Sequence, residues 1–323
     1  MVEKGLTSQK NSASKYDFVK VRVHLSDQHY YVLSRFILCR MLTAAQITYA
    51  HAIRIALDLK KHLVDKGQLD VSQQDLQREL FTLMEQHGYG AIHIQWYKTM
   101  SSFHHQRIPL VILLAGTGMT GKSTMATRLS ERLNLSSVLK TDVIYDLMHT
   151  IIDGSTPPRV WEMNGDCDSF LRTMTKECQL VYQGLDTDVC KSIADGKSLI
   201  IEGDLVDQRL LLGLLQGNDP NKEDQNSHQK RAIVVPLLLV IPDKATHQDL
   251  IQQSPHDAAA NLNQKDLLDR MRAWQDKLVN TNKQLQTTGQ PHYQVIEMDM
   301  DRLPAILDHV QALVLEKITL QMS

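Results

Sequence analysis

The chain is short of aromatic residues, of surplus charge, of paired cysteines and of long apolar runs, and each shortage removes a class of protein. Phe, Trp and Tyr make up 5 % of its 323 positions, which weighs against the stacking platforms that grip single-stranded nucleic acid. Its 35 basic and 37 acidic residues leave a formal charge of −2. No basic excess is therefore present to drive binding to nucleic acid or to a membrane surface. The four cysteines, Cys39, Cys167, Cys178 and Cys190, form no C-x-x-C pair and no zinc spacing. Reduced thiols and a cytoplasmic location are the expectation. The longest apolar runs, 108–115 and 233–241, are too short to span a bilayer, and the polar first fifteen residues lack the apolar core of a secretory signal. No internal repeat is visible.

What is present is ordinary in bulk and specific in one place. A hydrophobic content of 42 % and a charged content of 22 % suit a globular protein, and the length suggests two domains. The specific place is Gly116-Thr117-Gly118-Met119-Thr120-Gly121-Lys122-Ser123, followed by Thr124. This G-x-x-x-x-G-K-S run is a phosphate-binding P-loop. The apolar run 109–115 before it reads as a strand buried in a parallel sheet. Met125, Leu129 and Leu133 after it recur every four residues, on one face of a helix. Between strand and helix, the loop's amides would face an anion. Lys122 would reach the β- and γ-phosphates of ATP, and Ser123 would hold Mg²⁺.

Residues 1–15 read as a disordered tail and 16–105 as a small, mostly helical domain opening with a hairpin. Val19, Val21, Val23 and Leu25 alternate with polar neighbours, as in a half-buried strand. Tyr30 to Leu33 would return after a turn. Ile53, Ala56, Leu57, Lys60 and Leu63 share a helical stripe, and Ser72-x-x-Asp75 signals a helix start, with Gly88 placed to stop that helix. Residues 106–323 alternate strands (near 109–115, 137–140, 198–201, 232–241 and 293–297) with helices. That pattern predicts an α/β domain, a parallel sheet flanked by helices. The stretch 216–229 reads as a solvated loop.

Three further groups bear chemistry. Asp142, after Val138-Leu139-Lys140-Thr141, sits at a strand's carboxyl end, where it would take a proton from an attacking hydroxyl or hold metal water; as plainly, it would cap a helix starting at Val143. Glu202 ends the run Leu199-Ile200-Ile201, as a carboxylate orienting Mg²⁺ does, or as a solvated strand end does. Arg270 and Arg272 lie in a helical stretch over 265–285, where lids of P-loop kinases fall. Two apart, they do not share a face, so one at most would reach a transferring phosphate; Arg270 is taken as that residue, a solvated face being the other reading. Arg128 and Arg132 are expected in solvent, and His104-His105 at a domain junction.

The chain resembles the 2-phosphoglycerate kinase family, most of all its plant-type relatives. The resemblance rests on Lys15-Tyr16-Asp17-Phe18-Val19-Lys20-Val21, Tyr30-Tyr31-Val32-Leu33-Ser34-Arg35-Phe36, Phe103-His104-His105-Gln106-Arg107, the P-loop, Leu139-Lys140-Thr141-Asp142, Glu177-Cys178-Gln179-Leu180-Val181 and Gly196-Lys197-Ser198-Leu199-Ile200-Ile201-Glu202-Gly203. It implies an ATP-cone-like N-terminal domain before a P-loop kinase domain, and ATP-dependent phosphorylation of a small anionic hydroxyl compound, 2-phosphoglycerate or one related to inositol phosphates. The sequence departs from the family at Leu205 and Gln208, where a His and a Pro are usual, and after Thr141-Asp142, where archaeal members carry an Arg. A nucleotide-sensing protein with little transfer activity and a polynucleotide 5′-kinase are the rival readings.

Overall fold

The computed structural model describes residues 15–162, 166–217, 231–253 and 264–322. The expected tail lies outside these except for Lys15, which opens the short helix α1 (Lys15–Phe18). The chain divides into two compact units, 1–98 and 99–323. The division falls inside α5 (Ala91–Gln106), and the boundary expected after residue 105 lies later in that same helix.

In the first unit β1 (Arg22–Ser26) pairs antiparallel with β2 (His29–Val32) and parallel with β3 (Asp70–Ser72). Val21 and Val23 are fully buried, but Leu25 is not. The pairing register slips between His24 and Ser26, so Leu25 has no partner across the ladder and turns outward, as at a bulge. Helix α2 (Arg35–Ala44) is capped by the Ser34 hydroxyl. Helix α3 (Tyr49–Asp65) buries Ala52, Ile55, Ala56, Leu59, Lys60 and Leu63. Ile53 and Leu57, expected on that stripe, are exposed. Apolar residues occupy six of the eight positions from 52 to 59, so spacing alone did not choose the face; contact with α2 and α4 (Gln73–Gln86) did. Helix α4 starts where expected, with Asp75 N–H donating to Ser72 Oγ at 3.1 Å, and ends ahead of Gly88.

The second unit is a five-stranded, wholly parallel sheet in the order β5-β6-β4-β7-β8. The strands are β4 (Leu110–Gly116), β5 (Ser137–Lys140), β6 (Leu199–Glu202), β7 (Ile233–Val240) and β8 (Gln294–Glu297), close to the expected positions. Among the described residues seven helices accompany them: α6 (Lys122–Leu133), α7 (Thr141–Asp153), α8 (Cys167–Ala194), α9 (Gln208–Gly217), α10 (Lys244–Gln253), α11 (Gln264–Thr287) and α12 (Leu303–Met322). Helices α6 and α12 pack together against the sheet, and Phe170, Met174, Leu185, Trp274 and Leu278 of α8 and α11 join Val111, Leu113 and Ala115 of β4 in another core. The class is α/β, as expected.

Pro236 sits inside β7, yet β8 pairs only from Leu237 onward, so the missing N–H falls where that edge is open. Residues 216 and 217, expected in a loop, complete α9; 218–229 lie outside the described residues. Among the described residues no helix is long and apolar enough to cross a membrane.

Candidate active site

Strand β4 is buried along its whole length and is central to the sheet, so the loop after it leaves from the point where the chain's crossovers reverse. Ligands of open α/β sheets bind at such a point, outside the strands' carboxyl ends. Gly121 starts α6 with φ +79°, a left-handed conformation that glycine adopts without strain. No side chain caps α6, so its first amides remain for an anion. Met119 also holds a positive φ, of 62°, a strained choice for a non-glycine residue. The loop is held from outside by a residue that sequence reasoning passed over. His247 of α10, fully buried, places Nε2 3.0 Å from the Gly118 carbonyl oxygen. A carbonyl only accepts, so Nε2 carries the proton. Burial pushes the ring's pKa down, outweighing the Gly118 bond, and keeps it neutral.

Lys122 is 7 % exposed. Its ammonium donates to Thr117 O at 2.6 Å and to Thr120 Oγ1 at 3.3 Å, and it forms an ion pair with Asp204 Oδ1 at 2.7 Å. Ser123 Oγ donates to Glu202 Oε1 at 2.8 Å. The Glu202 carboxylate, at the carboxyl end of β6, is buried, not solvated. Gly203 follows with φ +150°, and a Cβ there would fall 1.7 Å from Thr141 Oγ1, so only glycine lets β6 pass α7 at this point. The Thr117 and Thr141 hydroxyls beside these groups are buried and lack a hydrogen-bond partner.

Asp142 is not a helix cap. Helix α7 begins at Thr141, with Lys140 as its N-cap residue, so Asp142 stands in the first turn. Its carboxyl is reached by solvent through the hollow, but the walls displace much of its water. That burial, then the Asp204 carboxylate, with Glu202 and Asp146 adding and Lys122 opposing, pushes its pKa up to about 6.

These groups line one hollow of about 790 Å³. Its walls hold Gly118, Met119, Lys122, Ser123, Thr124, Asp142, Tyr145, Asp146, Arg159, Val160, Trp161, Glu202 and Asp204. Arg159 is the cation that sequence reasoning missed; its one signal was Pro157-Pro158 ahead of it, which stiffen the approach. Arg270 does not line the hollow. It donates to Trp161 O at 2.9 Å and lies over the Phe170 ring, holding the wall rather than facing the loop. Arg272 binds Ile241 O and Pro242 O. Arg132 pairs with Asp308 and reaches Gln311 on α12, whereas Arg128 is exposed. Leu205, at the family's His position, is buried in the core. A second hollow, of about 720 Å³, opens at the ends of β7 and β8, lined by Ile241, Pro242, Met298, Asp299 and Arg302 among others. Met298 and Met300 pack beside Gly121, so the two hollows flank the P-loop.

No family model matches the chain. It is 26 % identical over 227 residues to the 2-phosphoglycerate kinase of Methanocaldococcus jannaschii, covering 67 % of this chain and 68 % of that one. It is 27 % identical over 201 residues to that of Methanococcus maripaludis (56 % and 63 %), and 30 % over 183 residues to that of Pyrococcus horikoshii (53 % and 60 %). The chain thus spans about two thirds or less of the length of these curated relatives. Among solved structures, a shikimate kinase from Bacteroides thetaiotaomicron aligns with a TM-score of 0.35 at 10 % identity, over 64 % of this chain and 98 % of that one. A deoxyadenosine kinase from M. mycoides aligns with a TM-score of 0.33 at 13 % identity, over the same shares. By sequence, the chain is similar to the archaeal 2-phosphoglycerate kinases, and it carries a P-loop.

Proposed function

We propose that the protein transfers the γ-phosphate of ATP to a hydroxyl of a small anionic metabolite. The observation that carries this reading is the meeting of Lys122, the Ser123–Glu202 pair, Asp142 and Arg159 on one hollow at the end of β4. The loop amides and Lys122 would hold the phosphate chain and spread its developing charge. Ser123 and Glu202 offer the hard oxygen donors that suit Mg²⁺, which takes few protein ligands and shares phosphate oxygens. Among the described residues no cluster of three or more His, Cys, Asp or Glu competes for a metal. Mg²⁺ held there would neutralise charge on the phosphates. Asp142, ionised at neutral pH, would accept the acceptor's hydroxyl proton. Tyr145, Val160 and Trp161 would keep water from the transferring group. The second hollow has room for the nucleotide's base and ribose.

Arg159 supplies the acceptor side with a planar cation suited to a carboxylate or phosphate. Among the described lining residues it is the one cation besides Lys122, against four carboxylates. That balance favours an acceptor with a compact anionic head, such as 2-phosphoglycerate, over a multiply phosphorylated inositol. It weighs equally against a polynucleotide, which needs a basic track. The N-terminal unit, a hairpin with helices, is proposed to be ATP-cone-like and to bind regulatory nucleotide. The protein is taken to act in the cytoplasm, without nucleic acid or membrane as partner.

The test is a panel of hydroxylated acids, phosphoglycerates and inositol phosphates incubated with γ-labelled ATP. Label in a phosphoglycerate product is expected, with Arg159→Ala raising the KM for the acceptor and leaving that for ATP unchanged. Label in water alone would identify an ATPase or sensor instead.

A further inference from the structure

The reaction as proposed does not use Asp204. Yet it is the most heavily anchored acid in the hollow. Its Oδ1 lies 2.7 Å from Lys122 Nζ. Its Oδ2 accepts from Trp161 Nε1 at 3.0 Å, and its carbonyl oxygen accepts from Trp274 Nε1, also at 3.0 Å. Two indoles therefore fix the residue by side chain and main chain. Trp161 is in turn fixed by Arg270, through its carbonyl oxygen. The Asp204 side chain is 14 % exposed, so the pair sits where water screens it little.

Lys122 is thus folded back into its own loop, with two donated bonds there and its charge paired with Asp204. A phosphate chain needs that ammonium. To take it, the chain must displace Thr117 O and Thr120 Oγ1, break the ion pair with a fixed carboxylate, and then lie beside that carboxylate.

We propose that Asp204 is a positioning residue that latches Lys122 away from the phosphate site, so that only ligands carrying phosphates within reach of Lys122 open it. This rests on the reading of the hollow as a nucleotide site and adds its selectivity. A triphosphate presents enough negative charge to draw the ammonium across. A nucleoside monophosphate, whose single phosphate does not extend to the β/γ position, leaves the latch closed. Once Lys122 has moved, the freed Asp204 oxygen faces the hollow beside Asp142, where an acceptor hydroxyl would satisfy it. Opening by nucleotide thereby prepares the acceptor's place.

The test uses Asp204→Asn, which keeps the size and one oxygen for the Trp161 N–H but drops the charge. Binding of a non-hydrolysable ATP analogue with Mg²⁺, and of AMP, is measured by calorimetry on the full chain. The expected result is tighter analogue binding, by about tenfold, the size of an ordinary coupling between sites, with AMP unchanged. An analogue affinity that is unchanged or weaker in a folded variant overturns the latch; so does an equal gain for AMP, which would report a general loosening. Should the variant not fold, wild-type protein supplies the second measurement. The analogue, but not AMP, is expected to change Trp161 emission, and the change is expected to vanish in Trp161→Phe. No change with saturating analogue overturns the proposal. A wild-type chain that binds no nucleotide at all would defeat the kinase reading itself.

Discussion

Ser123 and Glu202, 79 positions apart in the chain, meet at 2.8 Å where α6 begins and β6 ends. The bond joins the helix that carries the P-loop's hydroxyl to the strand paired beside β4. It sets the hydroxyl and the carboxylate side by side before any ligand arrives, so little ordering remains when one binds.

Glu202→Gln removes the charge from that pair and keeps its shape. Mg²⁺-dependent binding of an ATP analogue is expected to weaken by about 10- to 100-fold, while metal-free binding changes little. A Mg²⁺ titration followed by calorimetry reads both. Equal losses with and without metal would make Glu202 a structural residue.

Lys122→Ala is expected to abolish phosphoryl transfer while the fold survives. It also strips Asp204 of its counter-charge, with a stability loss of about 1–3 kcal/mol. Adding Asp204→Asn should restore most of that stability and none of the activity. Urea melts of the two single variants and the double variant complete the cycle. Wild-type-like turnover in Lys122→Ala would refute the site.

The raised pKa of Asp142 places an acidic limb near pH 6 in the kcat/KM profile, because only its ionised form takes a proton. Activity should fall as pH drops through that value. Stability should move the other way. The folded state holds the proton more tightly than an unfolded Asp does, so this group favours folding at low pH, and the benefit fades as pH rises from about 4 to about 6. Asp142→Asn should lower kcat far more than ATP affinity and flatten both effects. Retained kcat with weakened nucleotide binding would reassign Asp142 to metal or structure.

His247→Phe keeps a buried ring and leaves the Gly118 carbonyl without its donor, a loss of about 1–3 kcal/mol. Nucleotide affinity should fall with it as the loop loosens. The ring's pKa is depressed in the folded protein, so unfolding takes up a proton. His247 therefore subtracts stability as pH falls below about 6.5. Chemical melts from pH 7.5 to 5.5 should show a shallower decline in the Phe variant.

The second unit was legible because its signals are local. Each strand of a buried parallel sheet is a short apolar run, and the P-loop carries its residues consecutively. Asp142 was legible as a site residue but not as a helical one, since Val143 onward looked like the helix and Thr141 gave no sign of opening it. Arg159 and His247 were not legible. Their partners are brought by the fold, and Gly118 lies 129 positions from His247. Arg270 was chosen for its neighbourhood in the chain, but its direction depends on Trp161, which no helical spacing reveals. Ile53 and Leu57 failed for the opposite reason, too many apolar residues rather than too few signals.

Among the described residues every strand neighbour in the second unit is parallel, so none of these ladders closes through a hairpin. β4 pairs with β6 and β7 across long intervening segments, and its seven-residue apolar stretch has nothing to shelter it until both have been made. Such long-range closure is slow. On the ribosome, a chain synthesised only as far as α8 would carry an uncovered sticky segment at its centre. Recovery after dilution from denaturant should therefore be sluggish, worsen with protein concentration and improve in the presence of a chaperone that shields unpaired strands.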